Sequence, residues 1–224
     1  MMKITETLLQ ILYPPKCLLC RKILAKDELD LCHKCRVDGP ECANFRKKLP
    51  FIDSWAAVWY YEGNARRSLL RYKFRGARHY VQGYGRLLGM KLLEEHPEGF
   101  DLLTWVPISS IRKFFRGYDQ VELIALAVGQ ELGREPVPLL RKTRHNRPQS
   151  RIVGEAKRRA NVLGAYRVEN IDILENKRIL MLDDIITTGA TAGECARVLL
   201  TAGAKEIHCG AMAVARHQSN TKVR

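Results

Sequence analysis

The stretch that most constrains the fold runs from Arg178 to Thr191 and reads R-I-L-M-L-D-D-I-I-T-T-G-A-T. Its four consecutive apolar residues, Ile179 to Leu182, are typical of a strand that is covered on both faces, as in a parallel sheet. Asp183 and Asp184 end this run, and a turn containing Thr and Gly leads to apolar residues at helical spacing from Ala192 to Leu200. The order of strand, polar turn and helix predicts one unit of an α/β fold with a largely parallel sheet.

The turn after this strand is suited to an anion, because backbone N–H groups and the positive end of a helix dipole meet there at the carboxyl edge of a sheet. The two carboxylates repel a phosphate but suit sugar hydroxyls or a magnesium shell. A P-loop is disfavoured, because Gly189 is followed by Ala190 and Thr191 where that motif has Lys. The predicted ligand therefore carries both a phosphate and a diol. An acidic strand end before an ordinary capped helix is the alternative, since Thr and Asp are favoured at helix starts without any ligand.

The same stretch resembles the signature of the type I phosphoribosyltransferases, which has four apolar residues, two acids and a loop containing Thr-Gly. In that family the acids hold the ribose hydroxyls of phosphoribosyl pyrophosphate (PRPP), and the loop holds its 5′-phosphate. The resemblance implies that Asp183 and Asp184 are the catalytic residues and orient the ribose. The implied phosphate loop consists of Thr187, Thr188, Gly189, Ala190 and Thr191.

Length and charge limit the class of protein. A chain of 224 residues suffices for one sizeable core and an appendage. Lys and Arg total 38 against 24 Asp and Glu, and the formal net charge of +14 indicates an anionic partner, whether nucleic acid, a polyphosphate substrate or an acidic protein. The apolar run at the N-terminus is too short and interrupted for a signal peptide or a membrane span, which predicts a cytoplasmic protein without membrane insertion.

Two Cys-x-x-Cys pairs near the N-terminus predict a metal site formed by Cys17, Cys20, Cys32 and Cys35. Four thiolates can surround one zinc ion, and a full set of protein ligands makes that zinc structural. Disulfides or a metal-free knuckle are the alternatives, although seven cysteines are few for a disulfide scaffold of this size. A short amphipathic helix is predicted over residues 4–12, and residues 36–50 are polar and punctuated by Pro. We therefore expect a helix, zinc-finger module and linker over residues 1–50.

Residues 51–224 are expected to form the phosphoribosyltransferase-like domain, an α/β fold with a mainly parallel sheet flanked by helices. Its predicted strands are 54–61, 101–108, 163–168 and 207–215, and its predicted helices include 64–78, with a basic surface, and 121–132. Gly83 to Gly89 has the wrong spacing for a dinucleotide loop and predicts close packing between helices instead.

Further motifs indicate one particular family within the phosphoribosyltransferases. The strand end V-P-I at Ile108 and the segment R-G-Y-D-Q from Arg116 to Gln120 accompany the four cysteines and D-D-I-I-T-T-G-A-T. This combination looks like the ComF family, whose bacterial members are associated with competence for DNA uptake, and it covers nearly the whole chain. Asp119 stands where the family usually shows Asn.

The resemblance also implies a pyrophosphate site. The loop after the V-P strand would lie against the pyrophosphate. Residues 141–161 are strongly basic with little apolar periodicity, which predicts a long mobile loop that closes over the diphosphate. A solvated run of charge is the alternative. The expected pyrophosphate residues are Ile108, Ser109, Ser110, Arg112, Arg116, Arg151, Arg158 and Arg159.

The chemistry that the resemblance implies is substitution at C1 of magnesium-bound PRPP, with pyrophosphate leaving. The sequence does not identify the acceptor. Three hypotheses stay open: an active phosphoribosyltransferase linked to DNA uptake and natural transformation, a non-catalytic PRPP or nucleotide sensor, and a competence factor that uses the same fold to bind single-stranded DNA. The expected partners are PRPP together with single-stranded DNA or proteins of the DNA-uptake machinery.

Overall fold

The computed structural model describes residues 13–42, 48–96, 98–144, 146, 152 and 154–216. The helix predicted over residues 4–12 lies outside this part of the chain. The elements in chain order are α1 (His33–Val37), β1 (Ser54–Tyr60), α2 (Gly63–Phe74), a 3-10 turn (Arg78–Tyr80), α3 (Val81–Glu95), β2 (Leu102–Trp105), α4 (Ser110–Arg116), α5 (Gln120–Leu132), β3 (Leu140–Lys142), α6 (Glu155–Val162), β4 (Tyr166–Val168), a 3-10 turn (Ile171–Ile173), β5 (Arg178–Ile186), α7 (Ala190–Thr201) and β6 (Glu206–Val214).

The main sheet has four strands in the order β1-β6-β5-β2, and every neighbouring pair is parallel. Strand β5 pairs with β6 on one side and β2 on the other, and its apolar run from Ile179 to Leu182 is fully buried. Alternate residues point to opposite faces. Leu180 and Leu182 pack with α2, α3 and α5, whereas Ile179 and Met181 pack with α7 and the β3–β4 hairpin. The predicted parallel sheet with helices on both faces is therefore confirmed.

Strand β5 is longer than its apolar run. It continues through Asp183 and Asp184 to Ile186, which pairs with Val214 of β6. The two acids thus lie within the strand and not beyond it. The predicted strand 101–108 is shorter than expected, because pairing with β5 spans only Leu102–Trp105.

The prediction of one long loop over residues 141–161 is wrong for the described part of that segment. Strand β3 pairs antiparallel with β4, and α6 begins at Glu155. Ladder pairing and helical hydrogen bonds involve the backbone, so a basic composition does not prevent either. The mobility predicted for residues 141–161 stays a prediction, and residues 145, 147–151 and 153 of this segment lie outside the described residues. The strand predicted over 163–168 exists as β4, but in the two-stranded sheet.

The N-terminal module packs on the body through the face that carries α2 and α3. Leu18 and Leu19 share one apolar cluster with Trp59. Arg71 Nη2 donates to the carbonyl oxygens of Leu18 and Leu19 at 3.0 and 2.9 Å. Arg71 therefore joins the two parts of the chain and does not belong to a solvated basic surface. The division of the chain at residue 50 stays a prediction.

Helices α3 and α5 approach closely at Gly85. A Cβ atom at this position would lie 2.6 Å from the Cβ atom of Ala127, so a larger residue would force the helices apart. The prediction that Gly83 to Gly89 mediates helix packing is confirmed here. None of the helices described is long and apolar enough to cross a bilayer.

Candidate active site

A cleft of about 410 Å³ opens at the carboxyl ends of β2 and β5. Its lining combines two acids with several cations and aromatic rings. The polar lining residues are Lys73, Arg112, Arg116, Gln120, Lys142, Asn146, Arg158, Tyr166, Asp183, Asp184, Thr187 and Thr191. Such convergence of ionisable groups in one concave site is typical of a binding or catalytic centre.

The two acids lie at the bottom of the cleft, and both are buried. Asp184 Oδ2 is 2.8 Å from Lys73 Nζ and accepts a hydrogen bond of 2.9 Å from Gln120 Nε2. Asp183 Oδ1 accepts from the backbone N–H of Asp184 at 2.7 Å. Each acid is held by different partners, so the pair is fixed in position before any ligand binds.

Burial and the neighbouring charge of Asp184 raise the pKa of Asp183 to about 8, against the opposing effect of Lys73. The raised pKa favours the protonated form of Asp183 in the ligand-free protein. A protonated carboxyl can donate one hydrogen bond and accept others. The pair can consequently both donate to and accept from two adjacent hydroxyl groups, which is the pattern that a diol presents.

Two arginines of α4 lie on one side of the cleft. Arg116 Nη1 donates to Gln120 Oε1, and the Arg116 guanidinium lies 5.2 Å from the ring centroid of Phe74. Arg112 Nη2 donates to the carbonyl oxygen of Asn146 at 2.7 Å. Burial lowers the pKa of Arg112 from its ordinary value. These partly desolvated cations are placed to attract a polyanion.

The remaining predicted pyrophosphate residues do not all meet in the cleft. Ile108 lines it, and so does Arg158, whose Nε donates to the carbonyl oxygen of Ile152 at 2.8 Å. Ser109 is buried and caps α4 through Arg112 N, and Ser110 is the exposed first residue of that helix. Arg159 lies outside the cleft lining and pairs with Glu155 at 3.0 Å. Arg151 lies outside the described residues.

The loop predicted to hold a phosphate joins β5 to α7. Thr187 and Thr191 line the cleft, and Thr188 Oγ1 accepts from Ala190 N at 3.4 Å. Gly189 has φ of 80°, a conformation that favours glycine, and a Cβ atom there would lie 2.5 Å from Leu49 Cδ2. The loop therefore turns sharply into the N-terminus of α7, where the positive end of the helix dipole favours an anion.

Lys73 and Lys142 line this cleft but are not among the site residues predicted from the sequence. Lys73 belongs to a basic run that predicts a solvated surface, yet its side chain reaches Asp184. Lys142 Nζ donates to Tyr166 OH at 3.0 Å, and burial together with Arg112 lowers the pKa of Lys142 to about 8. In the sequence, nothing distinguishes these lysines from their basic neighbours, because only the packing of α2 and the β3–β4 hairpin turns them inward.

Asp119, the departure from the usual ComF pattern, acts as a helix cap. Its carboxylate accepts from the backbone N–H groups of Ile108, Val121 and Glu122 at 2.9, 2.9 and 3.3 Å. All three donors are N–H groups, so an acceptor-only carboxylate satisfies them fully. Asp119 thereby fixes the start of α5 against the end of the V-P strand.

The four predicted metal ligands also converge. The Sγ atoms of Cys17, Cys20, Cys32 and Cys35 all lie within 4.8 Å of one another, and the Cys20 and Cys32 Sγ atoms are 3.6 Å apart. Four sulfurs at 2.3 Å from one zinc ion are about 3.8 Å apart, so the donor set fits zinc. Burial raises the pKa of Cys17, but backbone N–H groups of Cys20, Cys32 and Leu19 outweigh it and lower the pKa to about 7. The lowered pKa favours the thiolate of Cys17 that a metal requires, whereas burial raises the pKa values of Cys20 and Cys35.

Both the N-terminal module and the α/β domain are similar to known proteins. Residues 8–49 match the family described as double zinc ribbon domain, and residues 123–224 match the phosphoribosyl transferase domain. The chain is 24% identical to Competence protein F of Haemophilus influenzae, over 77% of each protein. It is 27% identical to Competence protein ComFC of Streptococcus pneumoniae, over 86% of this chain and 96% of that protein. The resemblance to ComF is confirmed.

Among solved structures, the ComF-like chain is similar to an allosteric regulatory enzyme of purine biosynthesis, with 26% identity and a TM-score of 0.40. The match covers 59% of this chain and 26% of that larger chain. The domain match and the parallel sheet order identify the fold of the ComF-like chain as type I phosphoribosyltransferase-like. The double zinc ribbon match and the converging thiols identify the cysteine cluster as a structural zinc site.

Proposed function

We propose that this ComF-like chain binds PRPP with magnesium and transfers its phosphoribosyl group to an acceptor. The observation that carries the proposal is the juxtaposition of Asp183 and Asp184 with the Thr187–Thr191 loop in one cleft with basic walls. The acids suit the ribose diol, the loop and helix N-terminus suit the 5′-phosphate, and the cations suit the diphosphate.

In this proposal Arg112, Arg116 and Lys142 neutralise the pyrophosphate as the bond from C1 to its oxygen lengthens. These cations are partly or largely buried, and in such surroundings their effect on developing charge is stronger than in water. Asp183 and Asp184 hold the ribose, and the Asp184 carboxylate stabilises positive charge at C1. Magnesium bound with the diphosphate supplies further charge neutralisation.

The biological setting is also proposed, from the relatives. The matched proteins are named for competence, and we infer a role in DNA uptake and a cytoplasmic location for this chain as well. We propose that the cleft binds PRPP and that other parts of the surface bind proteins of the uptake machinery.

Calorimetric titration of magnesium–PRPP tests the proposal. Wild type should bind, and the double variant Asp183→Asn, Asp184→Asn should lose the binding while keeping its shape and zinc. Asp172→Asn is the control, because Asp172 is exposed and lies outside the cleft lining. Folded wild type that does not bind PRPP would refute the proposal. Binding without pyrophosphate release for any acceptor would favour the sensor hypothesis over transfer.

Binding of single-stranded DNA is a second candidate, favoured by the exposed face of α4. Phe114 and Phe115 are 83% and 84% exposed and lie beside Lys113. Bases stack on exposed aromatic rings, and cations pair with phosphates. The test is the affinity for an oligothymidylate as a function of salt, in wild type and in Phe114→Ala. An affinity that neither salt nor this substitution changes would refute the candidate.

A further inference from the structure

A separate cavity of about 800 Å³ lies between the N-terminal module and the start of α2. The module contributes Cys20, Cys32 and Cys35 to its lining, and α2 contributes Gly63 and Asn64. None of its described lining residues lines the cleft at the carboxyl ends of β2 and β5. This module cavity is therefore distinct from the proposed PRPP site, and it gives small molecules access to the cysteine cluster.

The four zinc ligands are not equally accessible. Cys20 is exposed, whereas Cys17, Cys32 and Cys35 are buried. Zinc binding keeps each sulfur as a thiolate, and an accessible thiolate is the nucleophile of thiol–disulfide exchange. Cys32 Sγ lies 3.6 Å from Cys20 Sγ, so a second thiolate is close to the first. Cys20 is therefore the ligand that an oxidant meets first, and Cys32 is placed to complete a disulfide with it.

The charges around the module cavity favour an anionic reagent. Four cations and two carboxylates line it, namely Lys22, Lys34, Arg67, Arg216, Asp38 and Glu62. Glu62 is already paired with Arg216, at 3.3 Å. Zinc held by four thiolates keeps a negative charge, and the surplus of cations offsets its repulsion of an approaching anion. Arg67 and Cys20 line the same cavity, so one molecule can pair a carboxylate with Arg67 and present a sulfur to Cys20.

Helix α2 holds the module on the body of the protein. Ser68 Oγ donates to the carbonyl oxygen of Leu18 at 2.5 Å, beside the hydrogen bonds that Arg71 donates to the same segment. Leu18 lies within the first Cys-x-x-Cys pair, so zinc fixes the acceptors of these hydrogen bonds. Lys73 follows Arg71 on the same helix. Loss of the zinc would therefore loosen the helix that carries a cation of the cleft.

From these observations we propose that Cys20 is a modification site at which a small anionic disulfide oxidises the zinc cluster. The Cys20 thiolate attacks one sulfur of the reagent, the S–S bond of the reagent breaks, and one thiolate leaves. The Cys32 thiolate then attacks the Cys20 sulfur of this mixed disulfide, and the second thiolate leaves. Two cysteine thiolates thus lose two electrons in total, and the reagent gains them as it becomes two thiolates.

The cluster then lacks two of its four ligands for zinc, so the zinc is released and the module is freed from α2. This inference does not depend on the proposed transferase function, because neither the cavity nor the cysteines belong to the cleft.

The experiment compares three reagents that share a disulfide and differ in charge: glutathione disulfide is anionic, 2-hydroxyethyl disulfide is neutral and cystamine is cationic. Each is added to zinc-loaded full-length protein at low salt without reductant, and a colorimetric chelator reports the zinc released. Each rate is divided by the rate of the same reagent with free cysteine, which removes differences in intrinsic reactivity. The normalised rate should be about tenfold higher for glutathione disulfide than for cystamine, with the neutral reagent between them, and salt should reduce the difference.

Two neighbouring arginines of α2 provide a matched pair of variants. Arg67→Gln should slow zinc release by glutathione disulfide about threefold, because one exposed ion pair with the reagent is lost. Arg66→Gln should leave the rate unchanged, because Arg66 is also exposed but does not line the module cavity. Neither residue is a zinc ligand, so both variants should begin with the zinc content of wild type.

Peptide mapping by mass spectrometry identifies the cysteine that reacts first. After brief exposure and an acid quench, the first glutathione adduct should lie on Cys20, and a Cys20–Cys32 disulfide should follow. Hydrogen exchange in α2 should become faster once the zinc is released.

The inference is supported if Cys20 reacts first and zinc release depends on Arg67 but not on Arg66. A first adduct on another cysteine overturns it. Equal normalised rates for glutathione disulfide and cystamine, or equal rates in Arg67→Gln and Arg66→Gln, overturn the selection of an anionic reagent. Zinc release with unchanged hydrogen exchange in α2 overturns the freeing of the module.

Discussion

Replacing Lys73 by Met should destabilise the ligand-free protein, because it leaves the buried acids without their cation. Lys73 Nζ is 2.8 Å from Asp184 Oδ2, and the two side chains are only 16% and 8% exposed. Met is unbranched and of similar length, so it preserves the apolar contacts of the Lys stem. The substitution therefore removes the charge and little else.

The expected magnitude follows from burial. Removing one partner of a buried ion pair costs about 3–5 kcal/mol, because the remaining charge is desolvated. Gln120 Nε2 still donates to Asp184 at 2.9 Å, so we expect a loss of about 3 kcal/mol, at the lower end of this range. The matched control is Lys113→Met. Lys113 pairs with Glu122 at 2.7 Å, but the side chains are 54% and 31% exposed. Exposed pairs contribute only about 0.2–1 kcal/mol.

The assay is urea unfolding of zinc-loaded protein at fixed pH, for both variants and for Lys73→Met combined with Asp184→Asn. The double variant should regain at least half of the stability that Lys73→Met loses, because the amide removes the uncompensated charge. Equal losses of stability in Lys73→Met and Lys113→Met, or no recovery on adding Asp184→Asn, would show that Lys73 does not compensate a buried charge on Asp184.

Three further predictions concern other parts of the molecule. Burial and the charge of Asp184 raise the pKa of Asp183 from 3.8 to about 8, so the stability associated with its protonated form is fully present below about pH 3.8 and is lost progressively as the pH rises to 8. Thermal unfolding temperatures of the ligand-free protein should fall over this range and do so less in Asp183→Asn. Gly189→Ala should weaken PRPP binding at least tenfold, because its φ of 80° and the nearby Leu49 leave no room for a methyl group, whereas Gly133→Ala, with φ of 63° and no neighbour within 4 Å, should cost stability only. Cys35→Ser should lower the zinc content below one ion per chain and destabilise the N-terminal module, as atomic absorption and limited proteolysis would show; full zinc content would contradict the ligand assignment.

The elements that could be predicted are those whose residues are neighbours in the sequence. Strand β5, the Thr-Gly turn and α7 form one continuous stretch, and their periodicity and turn residues are local properties. The four cysteines are similarly local, since two pairs at short spacing suffice to specify a zinc site. A zinc-finger module is accordingly predicted from the cysteine spacing, and the resemblance to the phosphoribosyltransferase signature rests on the β5–α7 stretch.

The local sequence thus predicts the fold class and the zinc site, whereas tertiary packing selects the cations that face the two acids. Lys73 lies on α2 and Lys142 on β3, and both are far from Asp184 along the chain. A basic segment has the same composition whether its side chains point to solvent or into a cleft, so no local pattern distinguishes Lys73 from Arg75 or Arg159. That choice depends on how each helix and hairpin packs against the sheet. For the same reason, the composition of residues 141–161 predicts a loop. Backbone pairing nevertheless places residues 141 and 142 in β3, and helical hydrogen bonds place residues 155–161 in α6.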